Sequence, residues 1–199
     1  MTQRSQILMS RILVALLVCA GSTTVRYAMA AQPSTTPYGE RNAQAPAQLD
    51  LFSFMVGKWK GNAKVRLPQG GFVDVPLTWI GRYVLDGTAI ADEFHSTAPD
   101  GSPFLGISLR QYDATRNGWI IDYVNVSNSI LRRQVNARSG SVRRDNDAIV
   151  VLSEDGSMRI REFYRAMDAR HFTYSTDLSR DEGRTWEPPA MEISMERVE

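Results

Sequence analysis

Cysteine is almost absent from this chain of 199 residues: the only one is Cys19, near the N-terminus. A domain downstream of it has no internal disulfide and no thiolate chemistry, even in an oxidising compartment. Its stability must come from its core. Histidine is nearly as scarce, with His95 and His171 alone, so imidazole chemistry is confined to two positions. No apolar run reaches the roughly 20 residues that a helix needs to cross about 30 Å of hydrocarbon. Basic surplus is missing too: 23 Lys and Arg face 22 Asp and Glu, whereas a general nucleic-acid binder carries an excess of positive charge. No Ser-His-Asp order, phosphate loop or nucleophile motif occurs at recognisable spacing.

What is present begins with a leader. Arg4 and Arg11 form a positive start with no acid nearby. Ile12 to Gly21, ILVALLVCAG, is apolar, and Ala28-Met29-Ala30 offers small residues for cleavage before Ala31. Basic, then apolar, then small is the pattern of a secretory signal peptide over residues 1–30. The mature protein is therefore expected to be soluble in the periplasm or outside the cell, with no transmembrane span. The alternative is a lipoprotein anchored at Cys19, but Val18 stands where such sites want a small residue. Cleavage after Ala30 removes Arg4, Arg11 and Arg26 and no acid, which moves the net charge from +1 to −2. Arg132-Arg133 and Arg143-Arg144 are then read as solvated strand and turn positions, not an anion patch. Residues 31–48 hold Pro33, Pro37 and Pro46 among small polar residues, too little apolar surface to offset ordering. They read as a flexible lead-in to a single domain over 49–199, which is long enough for a real core.

Within that domain short alternating runs dominate. Trp59, Gly61, Ala63, Val65 and Leu67 share one parity, and Lys58, Lys60, Asn62, Lys64 and Arg66 the other. A strand sends alternate side chains to opposite faces, so this run has a dry side and a wet side. Pro68-Gln69-Gly70-Gly71 turns the chain, and Val73, Val75, Leu77, Trp79, Gly81 and Tyr83 make a second alternating face. Asp86-Gly87, Pro99-Asp100-Gly101 and Asn117-Gly118 punctuate the strands that follow, near 88–97, 104–113 and 119–126. Such pairs tolerate the positive φ of tight hairpin turns. Further strands are expected near 130–138, 148–153, 158–166, 171–178 and 190–197. The class is all-β, an up-and-down antiparallel meander of roughly ten strands, and closure into a barrel removes its edges. A two-sheet sandwich is the other architecture. Residues 47–56 are expected to form one short N-terminal helix, with Leu51, Phe52, Met55 and Val56 plugging one barrel end.

Gly57-Lys58-Trp59 with Gly61 spells G-x-W-x-G at the start of the first strand. This resembles the first-strand signature of the calycin superfamily, which includes lipocalins, fatty-acid-binding proteins and nitrobindins. The run Phe54 to Trp59, then Val84-Leu85-Asp86-Gly87, then Ser108 to Asp113 with Gly118-Trp119, resembles a family of bacterial lipocalin-like proteins, a domain of unknown function. The resemblance covers most of 50–197 and implies a barrel, with no settled activity. Mature cysteines, present in true lipocalins, are missing. Separately, Ser179 to Trp186 fits S-x-D-x-G-x-T-W, the Asp-box turn of sialidase-type propellers. One copy cannot build a six-bladed propeller, so it reads as a hairpin between the last two strands.

Candidate binding residues follow from chemistry and parity: Trp79, Glu93, His95, Arg110, Tyr112, Tyr123, Arg161 and Tyr164. Glu93 and His95 share a strand face, about 7 Å apart along it. A His₂Glu metal site would need His171 as its third ligand, and nothing in the sequence brings it near, so no metal is expected. His171 as a haem ligand is implied only by the nitrobindin likeness at G-x-W-x-G, and no cofactor is expected. Asp92 and Glu93 point to opposite faces, so only one can face inward. A buried charge must be paired or it is costly. An interior Arg110 or Arg161 would pair with an interior carboxylate or await an anionic ligand, and the second is the reading preferred here. Most aromatics must fill the core, yet a barrel of about ten strands is wide enough to leave a cavity.

Three functions remain: an exported protein binding an apolar or amphipathic small molecule; an enzyme (isomerase, cyclase or hydrolase) on the same barrel, using an interior carboxylate with Tyr or Arg; and a solid structural barrel. A cavity separates the first two from the third, and a carboxylate of raised pKa inside it favours the enzyme. A homodimer is left open.

Overall fold

The computed structural model describes residues 36–98, 100–138 and 141–199. The expected signal peptide, Cys19 and lead-in residues 31–35 lie outside them. A 3-10 helix, Ala47–Met55, is followed by β1 (Gly57–Arg66), β2 (Phe72–Val84), β3 (Ala89–Thr97), β4 (Pro103–Asp113), β5 (Gly118–Asn125) and β6 (Ile130–Asn136). After these come β7 (Val142–Asp145), β8 (Ala148–Asp155), β9 (Met158–Arg165), β10 (His171–Ser179) and β11 (Met191–Arg197). All ten expected strands are present. The additional one, β7, is the four-residue VRRD, too short and too basic to show an alternation.

The strands form one antiparallel sheet in the order β6-β5-β4-β3-β2-β1-β11-β10-β9-β8-β7. Chain order and sheet order agree except at one link: the first strand pairs with the last. Trp59 lies opposite Arg197 and Ala63 opposite Ile193 across it. The curled sheet therefore meets itself in mid-chain, beside β6 and β7, instead of at its termini. Side chains bridge this seam, with Arg132 ion-paired to Asp155 and Arg138 Nη1 2.9 Å from Glu154.

Alternation sets the inward face. Trp59 and Ala63 are buried on β1 while Lys60, Asn62 and Lys64 are exposed. Val75, Leu77 and Trp79 are buried on β2. Tight turns occur where the sequence provides for them, with φ of 54° at Asp86 and 52° at Asn117. Asp181 organises the Asp-box turn between β10 and β11, accepting from the backbone N–H and hydroxyl of Thr185 at 2.9 and 2.7 Å. Those bonds hold its carboxyl down at about 2.

Three residues per turn place 49, 52 and 55 on one face of a 3-10 helix. Leu49, Phe52 and Met55 are all fully buried, and they plug one end of the barrel. Leu51 and Val56 pack partly buried at the margin. Trp59 Nε1 donates to the Met55 carbonyl at 2.9 Å, and the Arg197 guanidinium covers its ring at 4.1 Å. The G-x-W segment thus fastens the plug to the barrel. The described part of the lead-in is fastened too. Tyr83 N–H donates to the Tyr38 carbonyl at 2.8 Å and Asn42 N–H to that of Gly87 at 3.0 Å, while Ala45 is buried. Backbone hydrogen bonds thus join the described part of the lead-in to β2 and to the turn that follows it.

At Gly61 β1 comes close to β11, because a Cβ there would overlap the Ser194 carbonyl oxygen. Gly61→Ala is expected to force the two terminal strands apart and cost about 1–3 kcal/mol. A fall in the urea midpoint at unchanged slope would register it. An unchanged midpoint would mean that the β1–β11 closure tolerates a wider spacing.

Candidate functional site

At the end away from the plug, the barrel holds a cavity of about 420 Å³. The β3–β4 turn contributes Ala98 and Asp100 to its mouth, and the β5–β6 turn contributes Asn128. Its walls divide by chemistry. Val75, Leu77, Trp79, Phe94, Phe104 and Ile160 give an apolar side. Asp92, Arg110, Gln134, Glu162, Tyr174 and Thr176 give a polar one.

Strand register assembles the polar side. Ile90 is opposite Arg110, and Asp92 is opposite Ser108, so Asp92 and Arg110 are diagonal neighbours on one face. They form an ion pair with both side chains almost wholly buried. Arg110 Nη2 also donates to the Tyr164 hydroxyl at 3.2 Å, and its guanidinium lies 5.2 Å from the ring of the plug residue Phe52. Beside this pair, Glu162 Oε1 accepts from Gln134 Nε2 at 2.6 Å and from the Tyr174 hydroxyl at 3.0 Å. Thr176 donates to the Tyr174 oxygen at 2.9 Å.

Burial pushes the Glu162 carboxyl above its ordinary value, and this outweighs the opposing pull of Arg110, Tyr174 and Gln134. Burial also raises the hydroxyls of Tyr164 and Tyr174, with the Glu162 charge adding to both. A carboxyl held protonated more tightly in the folded state than in the unfolded chain stabilises the fold below the unfolded value. That stability is lost as pH rises through the folded value. Glu162→Gln is therefore expected to remove part of the decline in stability above pH 4.5, the ordinary glutamate value. Urea midpoints of both proteins across a pH series check this; parallel curves above pH 4.5 would contradict it.

Four of the eight residues singled out from the sequence line the cavity: Trp79, Arg110, Tyr123 and Tyr164. Tyr112 shares the strand with Arg110 but lies toward the plug, edge-on to Trp119 with its hydroxyl on Asn117. The other three sit on the outer surface. Glu93 accepts from Arg82 at 3.0 Å and has His95 beside it at 3.5 Å. Arg161 bonds Asp177 at 2.8 Å and stacks on Trp186 at 4.1 Å. Phe94 and Ile160 occupy the inward parity of β3 and β9, which turns Glu93, His95 and Arg161 outward. The preferred picture of an unpaired interior arginine is likewise corrected, since Arg161 is outside and Arg110 already holds Asp92. Arg132 departs in the other direction. Read as solvated, it lines the cavity with its guanidinium 5.5 Å from the Tyr123 ring. His171 is exposed, near Asp168 and Glu196. Among the described residues no three His, Cys, Asp or Glu side chains come together as a metal-binding group.

Sequence reasoning missed Asp92, Glu162, Gln134 and Tyr174 as site residues. A signal existed for Asp92: Ile90 and Phe94, the two largest apolar residues of β3, share its parity. None existed for Gln134, whose strand β6 follows a register shift between Ile121 and Asp122 on β5.

No family model matches the chain, and no curated protein does. Among solved structures, Rv2717c from M. tuberculosis superimposes with a TM-score of 0.54 at 15% identity, over 78% of this chain and 99% of that one. The S-type phycobiliprotein lyase CPES from Guillardia theta gives 0.48 at 9% identity, over 75% and 92%. A de novo designed fluorescence-activating β-barrel gives 0.38 at 11%, over 74% and 97%. The likeness to Rv2717c is one of fold, and that fold is an antiparallel lipocalin-like β-barrel.

Proposed function

We propose that this chain is an exported small-molecule-binding protein, akin to the uncharacterised bacterial lipocalin-like family it resembles, and that its ligand is apolar or amphipathic. The observation that carries this reading is the cavity of about 420 Å³ with a polar cluster buried in one wall. Its size falls within the range of small-molecule sites, roughly 300–1,000 Å³. The Trp79 indole N–H, also in the cavity lining, is buried without a hydrogen-bond partner, a loss of about 1–3 kcal/mol for such a group. A barrel built only to be solid gains nothing from a void with ionised groups beside it. The signal-like leader supports export. No helix among the described residues is long and apolar enough to cross a membrane.

One observation favours catalysis as a second reading. Glu162 is a buried carboxyl whose pKa burial raises, hydrogen-bonded to Tyr174 in the cavity wall, and a carboxyl raised by burial inside a cavity is a recurrent feature of acid–base sites.

Native mass spectrometry of the full chain, expressed with its own leader and purified gently from the exported fraction, tests the proposal. The expected result is a mass beginning at Ala31 with a discrete small-molecule adduct, and the same spectrum counts copies per assembly. A bare mass across several preparations would count against retained ligand and favour the catalytic reading. A lipid-bearing mass beginning at Cys19 would move the protein to a membrane surface.

A further inference from the structure

The ligand's charge can be argued from the cavity wall, on the premise that the cavity binds a small molecule. Five lining residues carry formal charge: Asp92, Asp100 and Glu162 against Arg110 and Arg132. The two cations are already engaged. Arg110 is ion-paired with Asp92 and bonded to Tyr164. Arg132 is ion-paired with Asp155 at the seam. Glu162 is different. Its direct partners, Gln134 and Tyr174, are both neutral donors, and both act on Oε1. Oε2 takes no hydrogen bond among the described residues, and it is absent from the atoms that packing seals off without a partner. A buried carboxylate with a free oxygen and no direct cation is the group in this wall with most to gain from a positively charged partner.

We propose that the cavity selects organic cations, seating a protonated amine at Glu162 Oε2 with the ligand's apolar body against Trp79, Phe94 and Tyr123. The aromatic wall suits such a body: the Phe94 and Tyr123 rings stack at 6.1 Å and Trp79 lies 6.5 Å from Phe94. Trp79 also packs 5.9 Å from the Tyr174 ring, whose hydroxyl bonds Glu162. Apolar wall and carboxylate are thus within the length of one small molecule. This reverses the expectation of an anionic ligand drawn from the interior arginines: each guanidinium already holds a carboxylate, whereas Glu162 holds no cation.

Three probes of one shape separate the charges: 2-(2-naphthyl)ethylamine, 2-(2-naphthyl)ethanol and 3-(2-naphthyl)propanoate, titrated calorimetrically into the mature protein at neutral pH. The amine is expected to bind tightest, by roughly tenfold or more over the alcohol, the factor a charge-assisted hydrogen bond supplies. The carboxylate should bind weakest. Glu162→Gln, which keeps shape and an acceptor for Tyr174, is expected to abolish the preference for the amine over the alcohol. Any ranking of the wild type in which the amine is not first overturns this inference but leaves a binding cavity standing, and that ranking needs no variant to fold. A folded Glu162→Gln protein that keeps the amine preference overturns it as well. Failure of all three probes to bind overturns both the inference and the binding reading beneath it.

Discussion

Arg110→Met is expected to destabilise the protein by about 3–5 kcal/mol, because it strands a buried carboxylate. Asp92 is 1% exposed, and among the described residues its one ion-pair partner is Arg110. The same change takes the donor from the Tyr164 hydroxyl and, from Glu162, the positive charge that acts on it most strongly. In a domain of this size each kcal/mol corresponds to about 2–4 °C in Tm, so a fall of roughly 10 °C is expected. The double variant Asp92→Leu/Arg110→Met separates the cost of orphaning a charge from the worth of the pair. Well-packed apolar residues in place of a buried ion pair are often neutral or stabilising, and the double variant should recover most of the loss. Thermal and urea unfolding of the wild type, both single variants and the double close the cycle. A loss below about 1 kcal/mol for Arg110→Met would mean that water from the cavity solvates Asp92. A double variant no better than the single would mean that the pair stabilises on its own account.

The polar wall also has a structural consequence. The sheet lacks a ladder between β6 and β7, so the barrel there depends on side chains. Gln134 is on the edge strand β6, and its amide reaches across to Glu162 on β9. The group proposed to meet the ligand is thus one of the ties that hold the seam, alongside Arg132–Asp155 and Arg138–Glu154. Ligand chemistry at Glu162 and closure of the barrel are coupled through one carboxylate.

The order of strands was legible because alternation and turn pairs are local signals. On β1 one parity is charged or polar and the other apolar, and on β2 Val73, Val75, Leu77 and Trp79 make a continuous apolar parity, so the inward face could be read directly. On β3 small alanines at 89 and 91 occupy the parity of Glu93 and His95, which blurs the contrast that Ile90 and Phe94 provide. On β9 an outward Phe163 lies between two guanidiniums, Arg161 at 5.0 Å and Arg165 at 4.0 Å from its ring. A strand with aromatics on both parities hides its inward face. A one-residue error exchanges every assignment in a strand, which is how Glu93 and His95 entered the candidate set while Asp92 did not; on β9 both parities entered it, as Arg161 and Tyr164, without Glu162, which shares the parity of Tyr164. The polar wall itself was not legible, because it depends on which residues face each other. The Asp92–Arg110 diagonal needs the β3–β4 register, and Gln134–Glu162 needs the curl that brings β6 toward β9.

Phe52→Ala is expected to cost about 3–5 kcal/mol, the range for deleting a buried phenylalanine ring. Its ring is fully buried, edge-on to Trp119 at 4.9 Å and to Tyr164 at 5.8 Å, with the Arg110 guanidinium 5.2 Å away. It comes from a 3-10 helix whose Trp59–Met55 hydrogen bond keeps the plug in place, so the neighbours have little freedom to collapse into the space. The void would open beneath Arg110 and Tyr164, which form part of the cavity wall. A second effect therefore accompanies the loss of stability: the cavity lengthens toward the plugged end and its polar wall loses its backing. Affinity for the naphthyl probes should fall, and it should fall alike for the amine and the alcohol, because Glu162 and its neutral donors keep their places. Glu162→Gln, in contrast, should abolish the amine's advantage over the alcohol. Calorimetry on Phe52→Ala beside its thermal unfolding distinguishes the two. A selective loss of the amine would show that the plug sets the charge preference, and would transfer to the closed end the role assigned to Glu162.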